Sequence, residues 1–264
     1  MTRVWSGAAL IVFAVAAVWW APAPAFIAIA ELVLVLACRE YAGLVTPKGA
    51  TLPFPFWCAA AALTCAAVAV PSPYVPHTVA LLLATLIGGG AIAVFRWHGE
   101  DALAAVAVST FATLYLGLPL GVLVLVRDQQ GASGLFLLVV TVMVSDTAQY
   151  YTGRALGRCP LAPDISPKKT VEGAIGGVVA GSLAFAVLAG FWLDRPAWSF
   201  GVRIGLGATL VAAGIIGDLF ESMLKRRAGV KDSSSLIPGH GGVLDRIDAL
   251  LFAAPVYFIA LTYL

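Results

Sequence analysis

The 264-residue chain is predicted to be all-α, a polytopic integral membrane protein of about nine transmembrane helices. Three observations predict this. Hydrophobic residues make up 61% of the chain and charged residues 11%, whereas a soluble domain is about 25% charged. The apolar residues gather in stretches close to the length of about 20 residues that crosses a bilayer. The Lys and Arg residues between those stretches favour alternate loops.

The segments run roughly over 5–20, 25–43, 54–71, 77–95, 102–126, 132–152, 171–193, 201–224 and 244–263. The first opens on Arg3 and ends at Ala21-Pro22-Ala23, a pattern shared with secretory leaders. Pro24 disfavours cleavage there, so the segment is expected to be retained as a first helix. APAPA turns the chain into the second segment, and PSPYVP separates the third from the fourth. There is no internal repeat or low-complexity tract. A single membrane domain is expected, with helices one to five over 1–140 and helices six to nine, carrying the site, over 141–264.

Charge supports this order. With the N-terminus inside, the inner loops hold 13 of the 16 Lys and Arg residues. Only Arg127, Arg195 and Arg203 fall outside. The asymmetry predicts a cytoplasmic N-terminus and an external C-terminus in the cell membrane. It also puts the two most charged loops, six-to-seven and eight-to-nine, on the cytoplasmic side. The basic residues belong to membrane loops rather than to a soluble face, which argues against nucleic-acid binding. Cys38, Cys58 and Cys65 lie in apolar segments and no CxxC spacing occurs, so neither zinc nor a disulfide framework is expected. His77 and His98 flank segment ends and are expected to be solvated; Glu31 is given no role.

Intramembrane carboxylates are costly, so those present indicate function. Asp146 shares a helix face with Gln149 and Tyr150, and Arg154 continues it. Asp218, Glu221, Ser222 and Lys225 follow i, i+3, i+4 and i+7, a polar seam on helix eight; the plainer alternative is an internal Asp–Lys pair. Asp245 and Asp248 fall on one side of helix nine's first turn, where the helix dipole favours negative charge. The plainer alternative there is N-terminal capping. Asp218 and Asp245, from neighbouring helices, are the expected carboxylate ligands of Mg2+, a cation that favours carboxylate, water and phosphate oxygens; a second cation is left open. Asp146 and Asp248 are the next candidates.

Ser222 to Asp248 is the most polar run in the chain. Its PGHGG stretch has the glycine content of loops that cradle anions with backbone N–H groups. His240 is assigned equally to phosphate contact or proton transfer and to an ordinary turn. Loop six-to-seven adds Ser166, Lys168, Lys169, Thr170 and Glu172, with Pro167 stiffening the turn. A membrane protein that gathers cations, carboxylates and glycines in this way is suited to a phosphorylated ligand at the bilayer surface.

These residues resemble the signature of the phosphatidate cytidylyltransferase (CDP-diacylglycerol synthase) family. Ser222, Lys225-Arg226, Lys231-Asp232, His240-Gly241-Gly242 and Asp245-Arg246-Ile247-Asp248 stand at matching spacing. SDTAQYYTGRALG, SPKKTVEGAIGG and GDLFESMLKR look like further family segments, so the specific likeness covers roughly 144–250. Val171 replaces an aromatic residue and Ala249 a serine common in the family. The resemblance implies the reaction of CTP with phosphatidate to give CDP-diacylglycerol and diphosphate. It implies Asp218, Asp245, Lys225 and Asp248 as catalytic residues. It implies substrate contacts from Asp146, Ser166, Lys168, Lys169, Thr170, Glu172, Ser222, Arg226, Lys231, Asp232, His240, Gly241, Gly242 and Arg246. Partners are then CTP, phosphatidate and the bilayer, with a homodimer left open. The rival readings are another CTP-dependent lipid enzyme, such as a polyprenol kinase or an archaeal-type lipid cytidylyltransferase, and an anionic-metabolite transporter. A transporter needs polar residues on both sides of the bilayer, and the outer halves of these segments hold few.

Overall fold

The computed structural model describes residues 2–45, 52–70, 77–96, 102–193, 195, 197–237 and 239–264. Lys48, His98 and the PSPYVP stretch lie outside the described residues. The architecture is all-α. The helices are α1 (Thr2–Trp20), α2 (Ala23–Val45), α3 (Phe54–Ala69), α4 (His77–Arg96), α5 (Ala102–Ala112), α6 (Leu118–Leu156), α7 (Val171–Trp192), α8 (Phe200–Arg227) and α9 (Leu244–Tyr263).

Among the described residues, four helical stretches are long and apolar enough to cross a membrane: Thr78–Phe95, Ala102–Leu156, Val171–Trp192 and Phe200–Arg227. The segments expected at 102–126 and 132–152 differ from expectation. A π-helical turn, Thr113–Gly117, joins α5 to α6, and Arg127 and Asp128 are helical rather than in a loop. The break falls at Gly131, with φ 73° and ψ −178°. A side chain would strain that backbone, and glycine has none.

The chain forms two compact units. The first takes Met1–Leu125 and Arg227–Asp245. Its α2 buries Ala30, Leu34, Ala37, Tyr41 and Leu44, a stripe at the three-and-four spacing of one helix face. The Tyr41 ring meets Trp57 edge-on at 6.0 Å, and its hydroxyl donates to the Val108 carbonyl at 3.0 Å. Cys38, Cys58 and Cys65 are buried.

The second unit takes Val126–Arg226 and Arg246–Leu264. Small residues let its helices approach closely, the usual device where lipid supplies no hydrophobic drive between helices. Gly177 of α7 lies against the Gln149 side chain of α6, and Gly207 of α8 against Ser182 of α7. A Cβ on Gly217 of α8 would stand 2.5 Å from the Asp248 carbonyl of α9. Buried Phe185 and Tyr257 fill the space between, ring to ring at 6.0 Å, and the Tyr257 hydroxyl donates to the Gly134 carbonyl at 3.1 Å.

Loop six-to-seven is a β-hairpin. Strands β1 (Pro160–Ala162) and β2 (Ser166–Thr170) pair antiparallel, Pro160 opposite Thr170 and Ala162 opposite Ser166. Pro167 is tolerated because a two-stranded ribbon consists of edge strands.

Candidate active site

Residues of three helices and the hairpin meet in the second unit. The Gly217 contact sets Asp218 of α8 beside Asp248 of α9, and the charges of Asp146, Asp218 and Asp248 act on one another. Lys169, on β2, forms an ion pair with Asp218. The Ser222 hydroxyl lies 3.4 Å from Asp218 Oδ1, within donating reach. Lys225 pairs with Glu221 one turn away, and both are buried. The polar seam on α8 is therefore present, but its pairing is not an internal Asp–Lys bond: the lysine of α8 goes to Glu221, and Asp218 takes a lysine from the hairpin.

Gln149 holds Asp146. Its amide donates to Asp146 Oδ1 at 3.0 Å and to the Ser145 hydroxyl at 3.2 Å. Arg154 donates to the Tyr150 hydroxyl at 3.2 Å, so the stripe expected on this face is internally bonded. Asp248 Oδ1 accepts from the Ala249 N–H at 2.8 Å.

The hairpin residues divide by task. Thr170 caps α7 by accepting from the Gly173 N–H at 3.1 Å. Glu172 accepts from the backbone N–H groups of Arg158 and Cys159 at 3.0 and 3.3 Å. Both side chains shape the hairpin, a purpose not read from the sequence. Arg226 donates to the Ile165 carbonyl at 3.1 Å and ties the end of α8 to the turn. Ser166 is half-buried and Lys168 exposed.

The first unit holds the glycine-rich loop and Asp245. Two backbone N–H groups donate to Asp245 Oδ2, that of Ser233 at 2.9 Å and that of Gly242 at 2.8 Å, and the Ser233 hydroxyl, whose one proton is shared with Glu40, lies 2.8 Å away. Gly241 has φ 77° and carries no Cβ where one would crowd that carboxylate. The His240 ring packs against Gly7 of α1, and the His240 backbone N–H donates to the Ile237 carbonyl at 2.9 Å. Lys231, Asp232 and Arg246 are exposed.

Glu40 was not singled out by the sequence. It is buried, and four donors of the loop converge on it. The available signal was position: Glu40 falls three residues after Ala37 and four before Leu44, on the buried stripe of α2.

The expected magnesium pair, Asp218 and Asp245, takes one residue from each unit. The donor set around Asp218 suits such an ion. It is all oxygen: Asp146, Asp218, Asp248 and Glu221 supply carboxylates, with the ammonium groups of Lys169 and Lys225 beside them. No group of three or more His, Cys, Asp or Glu side chains able to hold a metal occurs among the described residues. Magnesium commonly uses only one or two carboxylates and completes its shell with water and substrate phosphate.

Fold and site together define an all-α membrane protein with carboxylates and cations from three helices and a hairpin brought together. The chain belongs to the Cytidylyltransferase family, whose model matches residues 1–264. It is similar to proteins named phosphatidate cytidylyltransferase. One from Synechocystis is 50% identical over 123 residues, 46% of this chain and 41% of the relative. Another, from Aquifex aeolicus, is 40% identical over 153 residues, 57% of this chain and 55% of the relative. A third, from Haemophilus influenzae, is 46% identical over 132 residues, 47% of this chain and 45% of the relative. The chain spans about half the length of these curated relatives.

Proposed function

We propose that the protein transfers the cytidylyl group of CTP to phosphatidate, yielding CDP-diacylglycerol and diphosphate in phospholipid biosynthesis. A lipid phosphate oxygen forms a bond to the α-phosphorus of CTP. The bond from that phosphorus to the α–β bridging oxygen breaks, and diphosphate leaves with the electron pair. Both reactants are anionic, so the protein's main task is to offset their repulsion and hold them in line. The observation that carries this reading is the Asp146, Asp218 and Asp248 group with Lys169 paired to Asp218, on a chain that belongs to the Cytidylyltransferase family.

Asp218 is the proposed magnesium ligand, with Asp248 and Asp146 as the neighbouring carboxylates of its unit. Asp245, the second ligand expected from the sequence, is proposed to act from its own loop. When bound, magnesium supplies charge neutralisation at phosphate oxygens. Lys168, Lys169, Lys225, Arg226 and Lys231 are the proposed phosphate contacts. In this reading Lys169 exchanges part of its pairing with Asp218 for a substrate phosphate, which orients that phosphate towards the carboxylates. All nine apolar segments are proposed to span the cell membrane, N-terminus and polar loops cytoplasmic, C-terminus external. Lipid then arrives from the bilayer and nucleotide from the cytoplasm.

The test is incubation of the purified protein with CTP labelled at the α-phosphate, phosphatidate and magnesium, with and without chelator. The reading expects a labelled CDP-lipid that vanishes with chelator. No labelled lipid in the presence of magnesium would refute it.

A further inference from the structure

Glu40 ties the α2 helix to a loop nearly 200 residues later in the chain. Its Oε1 accepts from the Ser234 hydroxyl at 2.7 Å and the Val243 N–H at 2.9 Å. Its Oε2 accepts from the Ser233 hydroxyl at 3.0 Å and the Leu244 N–H at 2.7 Å. Each oxygen thus takes one hydroxyl and one backbone N–H. The same Ser233 hydroxyl lies 2.8 Å from Asp245 Oδ2. Gly242 is buried between them, where a Cβ would overlap both the Ser233 hydroxyl and the Glu40 carboxylate. Leu244 opens α9, and the first N–H groups of a helix have no partner within it. The start of α9 and the His240-Gly241-Gly242 stretch are therefore fixed from outside, by α2.

We propose that Glu40 is a positioning residue for the transfer reaction, holding the Ser233–Leu244 loop so that Asp245 and the glycine-rich stretch present one fixed arrangement to substrate. This rests on the cytidylyltransferase reading and adds to it a residue outside the signature run. A carboxylate is needed, not only a polar side chain of that size. Glutamine has one acceptor oxygen and one donor amide. In either orientation its NH2 faces a backbone N–H, Val243 in one and Leu244 in the other, and neither can turn away. Displacement of a positioned group by about 1 Å costs on the order of 100-fold in rate.

The experiment compares full-length wild type, Glu40→Gln and Ser234→Ala in detergent. Hydrogen exchange of the Val243 and Leu244 amides is read alongside kcat and KM for CTP. Glu40→Gln is expected to speed exchange of those two amides at least about tenfold and to lower kcat about tenfold or more. Exchange in α3 and α5 should stay at wild-type rates. Ser234→Ala, which removes one of four donors and frees only the exposed Leu236 N–H to water, should change both readouts by a smaller factor in the same direction. Wild-type exchange in Glu40→Gln, or fast exchange with unaltered kinetics, overturns the proposal. Should Glu40→Gln not fold, Ser234→Ala decides alone, and wild-type values in both its readouts overturn the proposal. A wild-type enzyme that makes no CDP-lipid would refute the function instead, and the exchange rates would still decide whether Glu40 holds the loop.

Discussion

The ammonium of Lys169, on strand β2, is paired with the carboxylate of Asp218, on α8. The two stand 49 positions apart in the sequence, and the pair joins the hairpin to the carboxylate group of its unit. The two side chains keep 21% and 30% exposure, while the Lys169 Nζ atom itself is buried against the Asp218 carboxylate.

Asp218→Asn should lower turnover about 100-fold or more, and the thermal midpoint in detergent should fall because Lys169 loses its counter-charge. Lys169→Gln should lower kcat/KM, and the double variant should lose less than the product of the two single losses, as residues that act as a unit do. Steady-state kinetics on the four proteins checks this. Independent, multiplicative losses would separate the two residues functionally.

Asp245 permits a sharper dissection. Asp245→Asn can retain an oxygen where Oδ2 accepts from the Ser233 and Gly242 N–H groups and faces the shared Ser233 hydroxyl, so the loop should stay ordered while activity is lost. Asp245→Ala leaves those donors unpaired and should also destabilise the protein by about 1–3 kcal/mol. Thermal unfolding and activity, measured on the same preparations, check both halves.

Gly242→Ala introduces a methyl group where Ser233 and Glu40 already stand. Activity should fall at least about tenfold, and exchange of the neighbouring Val243 amide should accelerate. Gly229 has φ 74° and open space around it, so Gly229→Asn should stay active. Equal effects at the two sites would deny the crowding argument.

Glu221 and Lys225 form a buried ion pair. Removing one partner strands a buried charge, so Lys225→Met should destabilise the protein by about 3–5 kcal/mol. Adding Glu221→Gln should recover part of that stability without restoring activity, given the substrate role assigned to Lys225. Thermal midpoints of the single and double variants read this directly.

Local regularities were legible in the sequence. Apolar length located the helices, and the three-and-four spacing placed Asp146 with Gln149 and Asp218 with Ser222. Both pairs are bonded. What spacing cannot supply is the partner brought from elsewhere in the chain. Asp218 was weighed against a lysine on its own helix and takes Lys169 instead. Asp245 and Asp248, three residues apart, go to different units with different partners. Thr170 and Glu172 were read as substrate contacts, and their bonds to local backbone N–H donors were not legible from spacing. Glu40 is the plainest omission, since its partners lie 193–204 positions away. The break at Gly131 was seen as the end of one apolar run and taken for a loop, because a helix kinked by one residue and two helices joined by a short loop share the same hydropathy.

The most direct measurement of the central claim follows two labels in parallel, with CTP carrying phosphorus-32 at the α-position in one sample and at the γ-position in the other. Wild-type protein with phosphatidate and magnesium should place the α-label in a CDP-lipid and the γ-label in diphosphate, and Asp218→Asn should do neither at a comparable rate. Transfer of the γ-label to lipid would identify a kinase and contradict the account, as would an Asp218→Asn enzyme with wild-type turnover.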